Sequence, residues 1–344
     1  MANVLDIRRR IRSVRSTRQI TKAMKMISTA RLRKAQDRAL AARPYAQMLT
    51  NVLKSLVKRA DVIDEETGKA KHPLLEQREE KRIQIIVVTA DKGLAGAFNT
   101  NVLKAATRFM QSKSDKDIDI TAIGRKARDF FRRRFPQRAE NSDSRAGRVQ
   151  LATERVALGN VDFALARELA KQVIDRYCNG EIDAVYLVFN EFKSVIAQRV
   201  VVDQILPIEE IGETDVRQVD ELSTKDREAE AQAAASGGIS LEAADTSAID
   251  ARAAQFGTAQ VDYIYEQPPA ELFADLLPRY VAIQIFRALL ESNAAEQAAR
   301  MTAMESATNN ASDLIDSLTL KMNRARQASI TKEIIEIVSG AAAL

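Results

Sequence analysis

Residues 83–97 hold the arrangement with the clearest chemical potential. A β-branched run, Ile83-Gln84-Ile85-Ile86-Val87-Val88-Thr89, leads into Ala90-Asp91-Lys92-Gly93-Leu94-Ala95-Gly96-Ala97. A glycine-bearing turn between a strand and a helix can lay backbone N–H groups around a phosphate. The spacing here does not complete such a site. The lysine precedes the glycines, so the run is not GxxxxGK[ST], and it is not GxGxxG either. A tight strand-to-helix connection is the better reading.

Other reactive side chains are few. His72 is the sole histidine and precedes Pro73 in a connecting segment. One histidine is too few for a histidine-based metal site and sits badly for a serine–histidine–acid arrangement. It reads as a surface or turn residue. Cys178 is the sole cysteine, so it has no partner for an internal disulfide. It ends a helical pattern before Asn179-Gly180, a helix stop, and is expected to be a packed small residue rather than a nucleophile. No catalytic residue, cofactor-binding residue or metal ligand is expected, and no cofactor.

The charge pattern points to partners. Formal net charge is +5, yet residues 1–60 carry 16 Lys or Arg against Asp6 and Asp37, a local charge of +14. Residues 209–250 carry 12 acids against Arg217, Lys225 and Arg227, a local charge of −9. Such segregation means that different parts of the chain face different partners. The run Arg8-Arg9-Arg10-Ile11-Arg12-Ser13-Val14-Arg15 fits a nucleic-acid patch or an acidic protein partner. It lacks stacking aromatics, which favours the protein partner.

Two long helical patterns must position these charges. Val4, Ile7, Ile11 and Val14 recur at helical spacing. Ile20, Met24 and Ile27 continue the stripe after a shift in phase, and Tyr45, Leu49, Val52 and Leu56 resume it. Pro44 is expected to bend this helix. The pattern over residues 4–59 implies a helix about 84 Å long. From residue 270 onward a second pattern runs through Ala294, Ala298 and Met301, then Ala311, Ile315, Leu318, Met322 and Ala325. Its alternating spacings of four and three suit a coiled-coil seam. Pro278 marks an expected early bend.

Between them lie strands at 83–89, 118–123, 182–190 and 195–206, alternating with helices at 99–112, 124–135 and 161–178. That alternation indicates an α/β domain. The fold class is therefore mixed α+β and α/β: a long antiparallel coiled coil of the N- and C-terminal helices with a central Rossmann-like α/β domain at one end. The shaft takes residues 1–60 and 268–344, and 61–80 are a connector. The α/β domain takes 81–211 with 261–267. Residues 212–260 are an acidic, Ala-rich insertion expected to be mobile, with a short helix at 228–235. No run of 18 apolar residues occurs, so no membrane-spanning segment is expected, and the N-terminus lacks the apolar run of a signal peptide.

Three blocks of residues resemble F-type ATP synthase gamma subunits. The first is Ile20-Thr21-Lys22-Ala23-Met24-Lys25-Met26 with Arg31-Leu32-Arg33-Lys34-Ala35-Gln36. The second is Thr89 to Asn99, with Ala95 where the family often carries Cys. The third is the tail: Glu296-Gln297-Ala298-Ala299-Arg300-Met301, Asn323 to Thr331 and Glu336-Ile337-Val338-Ser339-Gly340-Ala341. The resemblance covers the chain apart from 212–260, which is longer than the usual bacterial connection. It falls near the thiol-regulated insert of chloroplast gamma subunits but holds no cysteine.

The resemblance implies a non-catalytic rotor subunit of the central stalk of a proton-transporting ATP synthase. It couples proton translocation to ATP synthesis or hydrolysis. The implied partners are three alpha and three beta subunits, epsilon and the c-subunit ring. The implied place is the cytoplasmic side of a bacterial inner membrane, as a peripheral subunit. It further implies beta-subunit contacts at Lys22, Met24, Lys25, Arg300, Gln327 and Thr331. The insertion is expected to project near the α/β domain and to modulate rotation through its charge. Two other classes remain open on the residues alone. A basic coiled-coil adaptor that binds nucleic acid would show salt-sensitive binding. An α/β enzyme would bind nucleotide without partners.

Overall fold

The computed structural model describes residues 4–59, 72–136, 148–155, 161–192, 198–208, 217–219 and 266–342. Helix α1 spans Val4–Arg59, 56 residues, and helix α5 spans Pro269–Ala342, 74 residues. Both continue through their internal prolines, Pro44 and Pro278, so neither proline ends its helix. At 1.5 Å per residue they reach about 84 and 111 Å. Among the described residues no helix is long and apolar enough to cross a membrane.

Between them lie β1 (Arg82–Val88), α2 (Phe98–Ser112), β2 (Asp117–Ile123), α3 (Arg125–Arg132), β3 (Val149–Arg155), α4 (Phe163–Cys178), β4 (Ala184–Phe192), β5 (Gln198–Leu206) and β6 (Arg217–Val219). The sheet order is β3-β2-β1-β4-β5-β6. The first four strands are parallel, with Ile85 opposite both Ile120 and Tyr186. Strands β5 and β6 add antiparallel at one edge. The expected α/β domain is present with two differences. Strand β3 has no expected counterpart. Arg217–Val219, expected inside the insertion, is a strand of the sheet. The remaining residues of the insertion and the expected helix at 228–235 lie outside the described residues, as do residues 61–71 of the connector.

Strand alternation sorts the side chains. Ile83, Ile85, Val87, Ile118, Ile120 and Tyr186 face α2 and α3 in one core. Ile86, Val88, Val185, Leu187 and Phe189 face the other way and share a core with Leu53 and Leu56 of α1 and Leu277, Val281, Ile285 and Leu289 of α5. The foot of the shaft is thus built into the sheet's core.

The parallel strands carry a polar patch on that same face. The Gln84 amide donates to Thr121 Oγ1 at 2.8 Å, and the Gln150 amide donates to Asp119 Oδ1 at 2.9 Å. Arg176 of α4 covers them, donating to Gln84 Oε1 at 2.8 Å and to Asp119 Oδ2 at 2.5 Å. Buried polar groups need such partners, and these tie α4 to three strands at a fixed register.

Candidate functional site

The two long helices pair antiparallel, and their register can be read from side chains. Ile7 and Ile11 share a cluster with Ile315. Arg18 lies 3.5 Å from the Ser312 hydroxyl, and the hydroxyls of Thr21 and Thr308 meet at 2.8 Å. Lys25 forms an ion pair with Glu305. Leu32 and Ala35 pack with Ala294, Ala295, Ala298 and Met301. The C-terminal stripe from Ala294 to Ala325 faces α1 as its spacing requires.

The middle of α1 does not follow the expected stripe. Ile20 is 53%, Met24 36% and Ile27 54% exposed, while Thr21, Ser28 and Leu32 are buried. Tyr45, expected in the same stripe, is also exposed. The seam at this height is made by Thr21, Ser28 and Leu32 of α1, with Leu32 packed in one cluster with Met301 of α5. The apolar stripe is therefore an outward face of the shaft. The other flank of the same stretch is a groove of about 880 Å³ lined by Arg18, Lys22, Lys25, Arg33 and Glu305. One level of the shaft thus shows an apolar face on one side and a basic groove on the other.

The expected partner-contact residues fall at two heights. Lys22 and Met24 are exposed. Lys25 and Arg300 are spent inside the chain. The Lys25 pair with Glu305 leaves their side chains 17% and 11% exposed. Arg300 donates to Glu296 Oε1 at 2.5 Å and to Gln297 Oε1 at 3.2 Å. Burial pushes the Glu296 carboxyl above its ordinary range, and the Arg300 guanidinium partly offsets it. These four positions lie at one level. Gln327 and Thr331 lie some 27 residues beyond Arg300, about 40 Å along the helix, and so belong to another site. They share a face, and the Thr331 hydroxyl donates to the Gln327 carbonyl at 3.0 Å.

Beyond about residue 326, α5 runs past the start of α1. Residues 326–339 are all exposed, including Ile330, Ile334, Ile335, Ile337 and Val338. Ile337 is 70% exposed, and with Ile330, Ile334, Ile335 and Val338 it gives the overhang a run of uncovered apolar side chains. This overhang is a single helix with small and apolar residues.

The glycine turn is committed to the fold. Doubly wound sheets bind ligands beyond the carboxyl ends of their strands, where the order reverses, here between β1 and β4. That crevice is filled by the shaft: Ala90, Ala95, Phe98 and Phe192 meet Ala294, Ala295, Ala298 and Met301. The first amides of the neighbouring helix α3 are bonded to residues of this loop and its strand. Asp91 Oδ1 accepts from Arg125 N at 3.0 Å, the Ala90 carbonyl from Lys126 N at 3.2 Å and Thr89 Oγ1 from Ala127 N at 2.8 Å. Gly124 is required there, since a Cβ would stand 2.0 Å from the Thr89 carbonyl oxygen. Asn99 Oδ1 accepts from Ala90 N at 2.9 Å and closes the loop. Leu94 sits at φ 64° with its side chain 61% exposed at the loop's tip.

His72 begins a short 3₁₀ turn at Pro73–Leu75, its Nδ1 accepting from Leu74 N at 3.2 Å. This fits the turn role read from sequence. Burial lowers its pKa. Cys178 is exposed, which corrects the expectation of a packed residue. The packed neighbour is Tyr177, whose hydroxyl donates to the Glu76 carbonyl at 2.7 Å. Burial pushes that phenol up to about 12. Among the described residues no group of His, Cys, Asp and Glu could hold a metal ion.

The ion pairs of Glu296 and Glu305 escaped the sequence reading. Glu296 and Arg300 are four apart, a helical pairing distance that could have been noticed. Lys25 and Glu305 are 280 positions apart and carry no local signal.

A family model described as ATP synthase matches residues 3–344. The ATP synthase gamma chain of Solibacter usitatus (strain Ellin6076) is 46% identical over 344 residues, covering 100% of this chain and 99% of that one. The ATP synthase gamma chain of Pelotomaculum thermopropionicum is 42% identical over 345 residues, covering 100% of both. A chain in the cryo-EM structure of the Tetrahymena thermophila mitochondrial ATP synthase central stalk and c-ring superposes with a TM-score of 0.54 at 22% identity, over 84% of this chain and 99% of that one. At that identity the likeness is one of fold. Sequence matches along the whole length, on a chain built as two paired long helices with an α/β domain at their foot, show that it belongs to the ATP synthase gamma-chain family.

Proposed function

We propose that the chain is the rotating shaft of an F-type ATP synthase, coupling proton translocation to ATP synthesis or hydrolysis performed by other subunits. The observation that carries this reading is the shaft itself. Two helices rooted in one sheet core pair over most of their length, and one continues alone as an apolar tip. Over residues 334–342 that tip carries Glu336 as its only charge, and such a surface can turn inside a sleeve, because apolar contacts are non-directional.

As a member of its family the chain works within the membrane-bound ATP synthase complex. The finer assignments are our proposal. Three alpha and three beta subunits surround the paired helices, and epsilon and the c-subunit ring hold the α/β domain. The chain lies on the cytoplasmic side of the inner membrane. An acidic segment of beta meets the outward faces at Lys22 and Met24, and a second beta segment meets Gln327 and Thr331. At Lys25 and Arg300 a partner carboxylate competes with Glu305 and Glu296. At the exposed Lys22 an ion pair contributes only about 0–1 kcal/mol, so that contact can form and break as the shaft turns.

Native mass spectrometry of detergent-extracted membranes tests the assembly. The chain is expected in one copy with three alpha and three beta subunits. Its recovery without them would overturn the reading.

A further inference from the structure

The groove on the flank of the shaft has a volume of about 880 Å³. That is within the range of small-molecule sites, which run from about 300 to 1,000 Å³. Both long helices line it. Arg18, Lys22, Lys25 and Arg33 of α1 follow at spacings of four, three and eight, with Thr29 midway along the last step. A helix sets such positions along one side.

The charges do not balance. Among the described residues Glu305 is the one acid that lines the groove, and Lys25 is paired with it. Arg18, Lys22 and Arg33 remain as an excess of positive charge. Lys22 and Arg33 are exposed, and the half-buried Arg18 reaches across to lie 3.5 Å from Ser312 Oγ of α5. The hydroxyls here are turned to their own helices. Thr29 donates to the Lys25 carbonyl at 3.0 Å and Ser312 to the Thr308 carbonyl at 3.2 Å. Donation to a ligand therefore falls to the cations. Among the described residues only Met26 and Ala30 bring apolar side chains to the lining.

An occupant matched to this lining carries several negative charges close together and little apolar surface. A chain of linked phosphates meets both conditions. Its oxygens suit the forked donors of arginine and the point charge of lysine. A peptide segment suits it less well, since its side chains find few apolar seats.

We propose that this groove binds oligophosphate anions, either the triphosphate of a nucleotide or a free inorganic polyphosphate, through Arg18, Lys22 and Arg33. The site goes beyond the rotor reading, because it needs no other subunit. Under that reading the bound anion covers Lys22 and so restrains its contact with beta.

The test is calorimetric titration of the full-length chain at low salt with sodium tripolyphosphate, then with ATP. Saturable one-to-one binding is expected. Lys22→Gln with Arg33→Gln is expected to weaken it about tenfold or more. Arg8→Gln with Arg12→Gln removes the same charge from exposed positions outside the groove, and is expected to change affinity about twofold or less. Equal affinity for the two ligands assigns the phosphate chain alone, and tighter binding of ATP assigns a nucleotide.

No binding by the native chain overturns the site. Equal weakening in both double variants also overturns it, since diffuse charge then explains the binding. Tighter binding of a polyglutamate peptide than of tripolyphosphate overturns it in favour of an acidic protein segment. Each single variant is titrated as well, so misfolding of one chain leaves the test standing. Failure of the rotor reading would show elsewhere, in complexes that lack alpha and beta, and would leave these titrations unchanged.

Discussion

Lys25 of α1 and Glu305 of α5 form an ion pair across the shaft, 280 positions apart in sequence, with both side chains mostly buried. Removing one partner takes this ion pair from the other charge at a mostly buried place. Lys25→Ala is expected to destabilise the chain by about 3 kcal/mol. The double variant with Glu305→Ala is expected to lose less than the two single variants added together. Denaturant unfolding of the four chains measures this.

Arg300 and Gln327 separate a structural role from a partner-facing one. Arg300→Ala leaves Glu296 buried without its guanidinium and is expected to lower stability by about 3 kcal/mol. Gln327→Ala, on the exposed overhang, is expected to change stability by less than about 0.5 kcal/mol and to slow ATP synthesis by the complex. Thermal unfolding and synthesis rates, measured on the same variants, check both. A stable Arg300→Ala chain with normal unfolding contradicts the first.

Met24 lies on the outward apolar stripe with Ile20 and Ile27. Met24 is 36% exposed, so a lysine can carry its ammonium out to water, and Met24→Lys is expected to leave folding within about 0.5 kcal/mol of the native chain. It places a cation on the outward apolar face proposed to meet beta, on the opposite flank from Lys22, and coupling is expected to fall. Proton pumping per ATP hydrolysed is the measurement, and an unaltered ratio removes Met24 from the contact.

Glu80 provides a pH signature. Burial would raise its pKa, but hydrogen bonds from Lys113 and the Tyr186 hydroxyl outweigh burial and hold it below the ordinary carboxylate value. The folded state thus binds the proton less readily than the unfolded one. Its stabilising effect is full above the unfolded pKa near 4.5 and is lost as pH falls through the lower folded value. Glu80→Gln is expected to lower the melting temperature at pH 7 and to flatten its fall below about pH 4.5. Melting curves across pH 3–7 test this, and parallel curves for the two chains would contradict it.

Sequence alone determined the long helices, most strands and the apolar seam of α5. Each of these follows from spacing along one element, which a helix or strand converts directly into a face. The resemblance carried by Thr89–Asn99 and by the tail was likewise legible before any fold was seen. Tertiary structure decided which of two faces at residues 20–32 of α1 is covered. Periodicity locates faces, but only the packing of α5 decided that Thr21, Ser28 and Leu32 are covered and the more apolar Ile20, Met24 and Ile27 are left outward. It also decided the partners of Lys25 and Arg300, the place of β3 and β6, and the filling of the sheet's crevice by the shaft's alanines. Those outcomes depend on groups far apart in the chain, and a charge or a glycine turn bears no local mark of what will be packed against it.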